Sequence, residues 1–256
     1  MPSSDGARKA VTKSLSAGLD GAVKVSRPVL IAHIQQSRRR RPDATPEQII
    51  DALGRRFTAT VAGTGAAVGA SAIAPGVNTP MSLAFAAGDV AGYMSFASLY
   101  VFAVAEVHGI PIHDMDRRRT LLMGVLLGDA GAQSVQKVAG RTGAHWANKV
   151  VQAIPMSSIK QVNKVLGHNF VTKYGTKQGV LVLGKQVPFG VGAAIGGVGN
   201  AAFARFTIRS AKRAFGPAPE TWPVHLASMV DLRDSGPVGP DTVLNPRYVD
   251  DGAEGG

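Results

Sequence analysis

Two groups of residues in this 256-residue chain have types and spacing that could do chemistry. The first is a glycine cluster: Gly190, Gly192, Gly196, Gly197 and Gly199 fall within ten positions of VPFGVGAAIGGVGNAAFARFTIRSAKRAF, residues 187–215. Glycines at that density can bring backbone N–H groups up to a phosphate. A Walker loop, however, needs a lysine and then Ser or Thr directly after its glycines, and GVGAAIGGVGNAAF has neither. Upstream, Gly63, Gly65 and Gly69 in GTGAAVG mimic a dinucleotide fingerprint. That motif requires a preceding strand in a βαβ unit, whereas the capped pattern from Thr45 runs into these glycines as helix. Nor is the later cluster a flexible linker, because Val187, Phe189, Val191, Ile195, Val198 and Phe203 interrupt it.

The second group is a loop. His108 and His113 lie close in sequence to Asp114 and Asp116 and could gather ligands for a divalent ion. No HExxH and no i, i+4 histidine pair accompanies them. Asp114 and Asp116 equally suit the capping of a helix led by Arg117. Asp89 and Glu106 are seventeen residues apart, about 25 Å along a helix, too far for an acid–base pair. Asp89 is expected as a buried polar contact of Arg55 or Asn200. No GxSxG occurs, and the absence of cysteine excludes disulfides, thiolate catalysis and Cys-based zinc sites. No cofactor is expected. The enzymatic alternative is a soluble protein with a metal site in the His108–Asp116 loop.

The elements that must carry these residues read as helices nearly throughout. Thr45-Pro46-Glu47-Gln48 is a capping box with proline at the first helical position. From Phe57 to Ala105, 49 residues carry one charge, Asp89, and APGVNTP (74–80) breaks the stretch. This predicts an αα-hairpin with arms of about 17 and 26 residues, the second ended by His108-Gly109. Tyr93, Phe96 and Tyr100 recur at helical spacing and are expected in the core. Arg117-Arg118-Arg119 then lead an apolar helix, and residues 131–185 are amphipathic and glycine-punctuated. The fold class is all-α, a glycine/alanine-rich helical bundle. Residues 1–44 form a basic N-terminal segment, 45–216 the main domain, and 217–256 an acidic, proline-rich, disordered tail.

Small residues recur every four positions as Gly192, Gly196, Asn200 and Ala204. The same spacing gives Gly65 and Gly69 on the first hairpin arm, and Ala84, Gly88 and Gly92 on the second. Each interior glycine costs about 1 kcal/mol relative to alanine. Close helix–helix contact along these smooth stripes is the compensation they predict.

In order along the chain, GTGAAVGASAIAPGVNTPMSL, VAEVHGIPIHDMDRRRTLLMGVLLG and VPFGVGAAIGGVGNAAFARFTIRSAKRAF resemble the EcsC protein family. The likeness runs from about 45 to 215, weakest in the middle. His108 stands where that family's tyrosine before glycine is expected. The resemblance implies a helical bacterial protein without a defined activity. The family's name, taken from a gene neighbouring a transporter's subunits, points toward a membrane or transporter component as partner.

Charge points the same way. Residues 1–219 carry +16 and residues 220–256 carry −5. Such a body is drawn to anionic surfaces, and its tail can shield it. Arg38, Arg39, Arg40 and Arg41 form one basic run; Arg205, Arg209, Lys212 and Arg213 form another. Nucleic acid is disfavoured because the aromatics expected between such charges are missing. Uncharged runs long enough to span a bilayer exist at 57–88 and 186–204, but only six of the nineteen residues in the second are Val, Ile or Phe. Insertion and surface attachment both stay open. The N-terminus lacks the apolar region of a secretory signal. The expectation is a non-enzymatic protein on the cytoplasmic face of the membrane, binding anionic lipid or a partner protein through its two basic runs.

Overall fold

The structure is a computed structural model and describes residues 15–71, 79–140, 145–170 and 191–227. No strand occurs among the described residues, and the fold is all-α. The helices are α1 (15–22), α2 (Arg27–Arg39), α3 (Pro46–Ser71), α4 (Thr79–Val107), α5 (Met115–Leu127), α6 (Asp129–Ala139), α7 (Trp146–Gln152), α8 (Met156–Asn169) and α9 (Val191–Phe215).

Local chemistry accounts for several boundaries. At the start of α3, Gln48 N–H donates to Thr45 Oγ1 at 3.3 Å and Thr45 N–H donates to Gln48 Oε1 at 3.1 Å, a reciprocal capping box. Helix α4 stops where Gly109 takes a φ of 71°. Asp114 caps α5 by accepting from Arg117 N–H at 2.9 Å. The turn expected at 74–80 lies largely outside the described residues, so the hairpin is seen as its two arms alone. Both arms are longer than the uncharged run suggested, at 26 and 29 residues. The capped amphipathic turns on either side extend the same helices.

At the centre, α3, α4 and α9 pack along their lengths. Helices α3 and α9 run antiparallel: Lys212 meets Asp51 at 2.7 Å, a Cβ on Gly54 would touch Ile208, and Asn200 reaches the Val61 carbonyl at 3.0 Å. An aromatic cluster joins α4 to both. Phe57 stacks on Tyr100 with centroids 5.5 Å apart and tilts against Tyr93, while Tyr93 donates to or accepts from Thr207 at 2.9 Å. Burial drives the Tyr93 and Tyr100 hydroxyls well above their usual titration range.

Around this centre, Leu30 and Ile34 of α2 are buried in the same compact unit, which extends through Trp222. The expected division at 44 is therefore not a domain boundary, and the boundary placed at 216 moves to 222. The cause of the second shift is visible: the Arg38 guanidinium lies 4.1 Å from the Trp222 ring centre. Helices α5, α6 and α8 form a second layer. There α6 approaches α5 so closely that any side chain at Gly131 would collide with the Gly124 carbonyl.

Candidate functional site

The glycine cluster from Val191 onward is one helix, α9, and Gly63, Gly65 and Gly69 lie inside α3. Neither forms the strand-to-helix turn that a phosphate loop uses. Where α9 crosses α3, a Cβ on Gly65 would stand 2.5 Å from the Gly196 carbonyl and 2.5 Å from Asn200 Nδ2. Glycine at 65 is what permits this approach. Gly197 is less tightly placed, with Ala62 O at 3.3 Å from its Cβ position.

The row on α4 behaves otherwise. Among the described residues nothing stands within 4 Å of a Cβ at Gly88 or Gly92. Among those residues, helix α4 meets its neighbours through Asp89, Tyr93 and Tyr100, on a different face. Gly69 and Gly192 fall on α3 and α9, with surroundings outside the described residues.

Between the three helices sits a polar clasp. The Asn200 amide donates to Asp89 Oδ1 at 3.2 Å and to Val61 O at 3.0 Å, with Asp89 and Asn200 both buried. Of the two partners expected for Asp89, Asn200 is the one in place. Beyond the clasp, 62–71 of α3, 79–88 of α4 and 191–199 of α9 contain no Asp, Glu, Lys or Arg. Together they make a charge-free lobe.

At the root of this lobe the charges return on two helices at one level. The antiparallel Gly54–Ile208 contact puts Arg55 and Arg56 at about the same level along the helices as Arg205 and Arg209. Arg55, Arg205 and Arg209 are exposed and have no ion-pair partner among the described residues, while Arg56 donates to Gln36 at 2.6 Å. Lys212 and Arg213, expected to face an anionic surface, are instead paired with Asp51 at 2.7 Å and Asp129 at 3.0 Å. In the other run, Arg39, Arg40 and Arg41 are exposed, whereas Arg38 is half-buried against Trp222 and burial lowers its pKa. Arg38 thus serves packing.

The histidine–aspartate loop assembles no ligand set. Among the described residues no group of three His, Cys, Asp or Glu side chains could hold a metal ion. His108 Nδ1 bonds Val104 O at 2.9 Å, and its ring lies 5.1 Å from that of Phe215. His113 is exposed. Asp114 is the cap of α5, and the Asn163 amide of α8 donates to Asp116 O at 2.9 Å and to its Oδ1 at 3.5 Å. Asp114 thus serves as a helix cap and Asp116 as an anchor for α8.

The sequence reading missed a buried ionic cluster. Glu106, 1% exposed, receives Arg27 Nε at 2.8 Å and Nη2 at 3.2 Å. Arg118 Nε donates to Ile112 O at 2.7 Å, and its Nη1 donates to Val23 O at 3.1 Å and Val25 O at 2.5 Å. Its ionisation is opposed by burial and favoured by Glu106. Arg117 bonds the Val150 carbonyl and, at 2.8 Å, that of Ile154; Arg119 pairs with Asp20. The triple arginine that leads α5 is therefore spent on internal carbonyls and a carboxylate.

One helix among the described residues is long and apolar enough to cross a membrane, over Gly88–Val107, and 72% of that stretch is buried within the protein. No family profile matches the chain, and no curated protein or solved structure matches it.

Proposed function

We propose that the protein is a non-enzymatic membrane-surface protein that binds anionic lipid bilayers from the cytoplasmic side, with the charge-free lobe dipping into the bilayer. The observation that carries this reading is the lobe with exposed Arg55, Arg205 and Arg209 at its root, none of them ion-paired among the described residues. From Arg56 to Ser71 is about 22 Å of helix, short of the roughly 30 Å hydrocarbon core. The lobe therefore enters one side and does not cross. Arginines at its root then meet lipid phosphates, each contributing about 1 kcal/mol near an anionic surface. Alanines, valines and glycines give a weak apolar drive, so charge and insertion are both needed. The EcsC-like order of segments supports the same location.

Flotation of the full chain with vesicles containing anionic lipid tests the proposal. Binding is expected at low salt and reduced at high salt. Failure to float at low salt removes the reading.

A further inference from the structure

An open cleft of about 430 Å³ lies beside α3, lined by Arg41, Asp43, Gln48, Asp51 and Arg55. Arg41, Asp43 and Arg55 are exposed and have no ion-pair partner among the described residues. Asp51 is already engaged by Lys212 at 2.7 Å. Among the described residues, the cleft therefore presents two guanidinium groups and one carboxylate without ion-pair partners.

Leading out of the cleft is a smooth lane. Arg55, Ala59, Gly63 and Ala67 follow one another at intervals of four on α3, and all four are exposed. Beyond the arginine, no side chain in this row is larger than a methyl group. Among the described residues nothing stands within 4 Å of a Cβ at Gly63. The lane starts at the arginine that borders the cleft and runs along the charge-free lobe, so a polar site and an apolar track are continuous.

We propose that cleft and lane together hold one molecule of a zwitterionic phospholipid. Its phosphodiester lies between Arg41 and Arg55, its ammonium group at Asp43, and an acyl chain along Ala59, Gly63 and Ala67. A zwitterion fits better than a simple anion, because Asp43 repels a second negative charge and attracts a positive one. The inference rests on the membrane reading above, since it puts the headgroup at the level where the lobe would enter.

The test is calorimetric titration of the full chain with three probes: monomeric dihexanoylphosphatidylethanolamine, glycerophosphoethanolamine and inorganic phosphate. The chain-bearing lipid should bind at least tenfold more tightly than the chainless headgroup, and phosphate more weakly than either. Replacing both arginines, Arg41→Gln with Arg55→Gln, should weaken both organic probes at least tenfold. Gly63→Leu should abolish the advantage of the acyl chains and leave glycerophosphoethanolamine unchanged; Ala67→Leu repeats this test at a second lane position. Phosphate binding as tightly as the headgroup would overturn the assignment in favour of a plain anion site. Vesicle flotation without any binding of the soluble lipid would overturn it while leaving the membrane reading standing. Loss of both would remove the two together.

Discussion

Asn200 of α9 donates one amide group to both Asp89 Oδ1 of α4 and the Val61 carbonyl of α3, at 3.2 and 3.0 Å. A single side chain thereby ties three helices together at the level where α3 and α9 meet through small residues, beside the Phe57–Tyr93–Phe203 aromatic contacts. Small apolar surfaces slide at little cost, and a directional polar contact between them does not. Replacing Asn200 with Ala leaves a buried carboxylate and a buried carbonyl each short of a donor, so a loss of about 2–4 kcal/mol is expected. Urea denaturation of Asn200→Ala measures it. A loss below about 0.5 kcal/mol would mean that the clasp does not set the register.

Two glycines on one helix should respond oppositely to the same substitution. At Gly65 the new methyl would stand 2.5 Å from the Gly196 carbonyl, and backbone on both sides resists movement. Gly65→Ala should destabilise by about 1–3 kcal/mol through overpacking. At Gly63 the methyl meets nothing within 4 Å among the described residues. Gly63→Ala should stabilise by about 0.5–1 kcal/mol, because it restricts the unfolded chain and improves helix propensity. Thermal or urea unfolding of the two variants side by side checks the sign. If both move the same way, the helix crossing at Gly65 is misplaced.

What was legible in the sequence were features set locally. The Thr45–Gln48 box, the Asp114 cap, the end of α4 at His108-Gly109 and the core roles of Tyr93 and Tyr100 follow from spacing of a few residues. The Gly65–Asn200 crossing was half legible, because a repeat of four shows that a face is smooth but not whether a neighbour lies on it. Gly88 and Gly92 share that spacing and face open space among the described residues. Least legible was the destination of long side chains. Arg27 and Glu106 meet across 79 positions, and Arg118 reaches the Val23 carbonyl 95 positions away. Arg117–Arg119 and Arg39–Arg41 look alike as strings of charge. Only packing separates arginines consumed by carbonyls from those left at the surface.

His33 gives a pH signature. Burial, and secondarily the charge of Arg56, lowers its pKa from 6.5 to about 4. As pH falls below 6.5 the unfolded chain takes up a proton that the folded protein refuses until about pH 4. The folded state therefore loses stability across that window, and the loss levels off below it. Because the ring is only partly buried, solvent screening reduces the effect to about 1–2 kcal/mol. Comparing urea midpoints at about pH 7.5 and about pH 5 for the wild type and His33→Gln subtracts the carboxylates common to both. The wild type should lose more stability on acidification than the variant; equal losses would show that His33 takes its proton freely when folded.

The two pairs of basic residues on α9 should contribute unequally to vesicle binding, although both lie on the same basic half of the helix. Arg205 and Arg209 are exposed at the root of the lobe and have no ion-pair partner among the described residues. Lys212 and Arg213 lie farther from the lobe and are held by Asp51 and Asp129. Each pairing places a carboxylate beside the cation, and from a distance the pair looks nearly neutral to a membrane. Replacing Arg205 and Arg209 by Gln should weaken binding by about 2 kcal/mol, roughly 30-fold, on the scale of about 1 kcal/mol per surface-proximal basic residue. The same change at Lys212 and Arg213 should cost less than about threefold in vesicle affinity, and it should register mainly as a small loss of folding stability. Flotation at several salt concentrations separates the cases, because only the first double variant should flatten the salt dependence. Equal losses from both pairs would show that net charge alone, without the collar at the lobe, governs attachment.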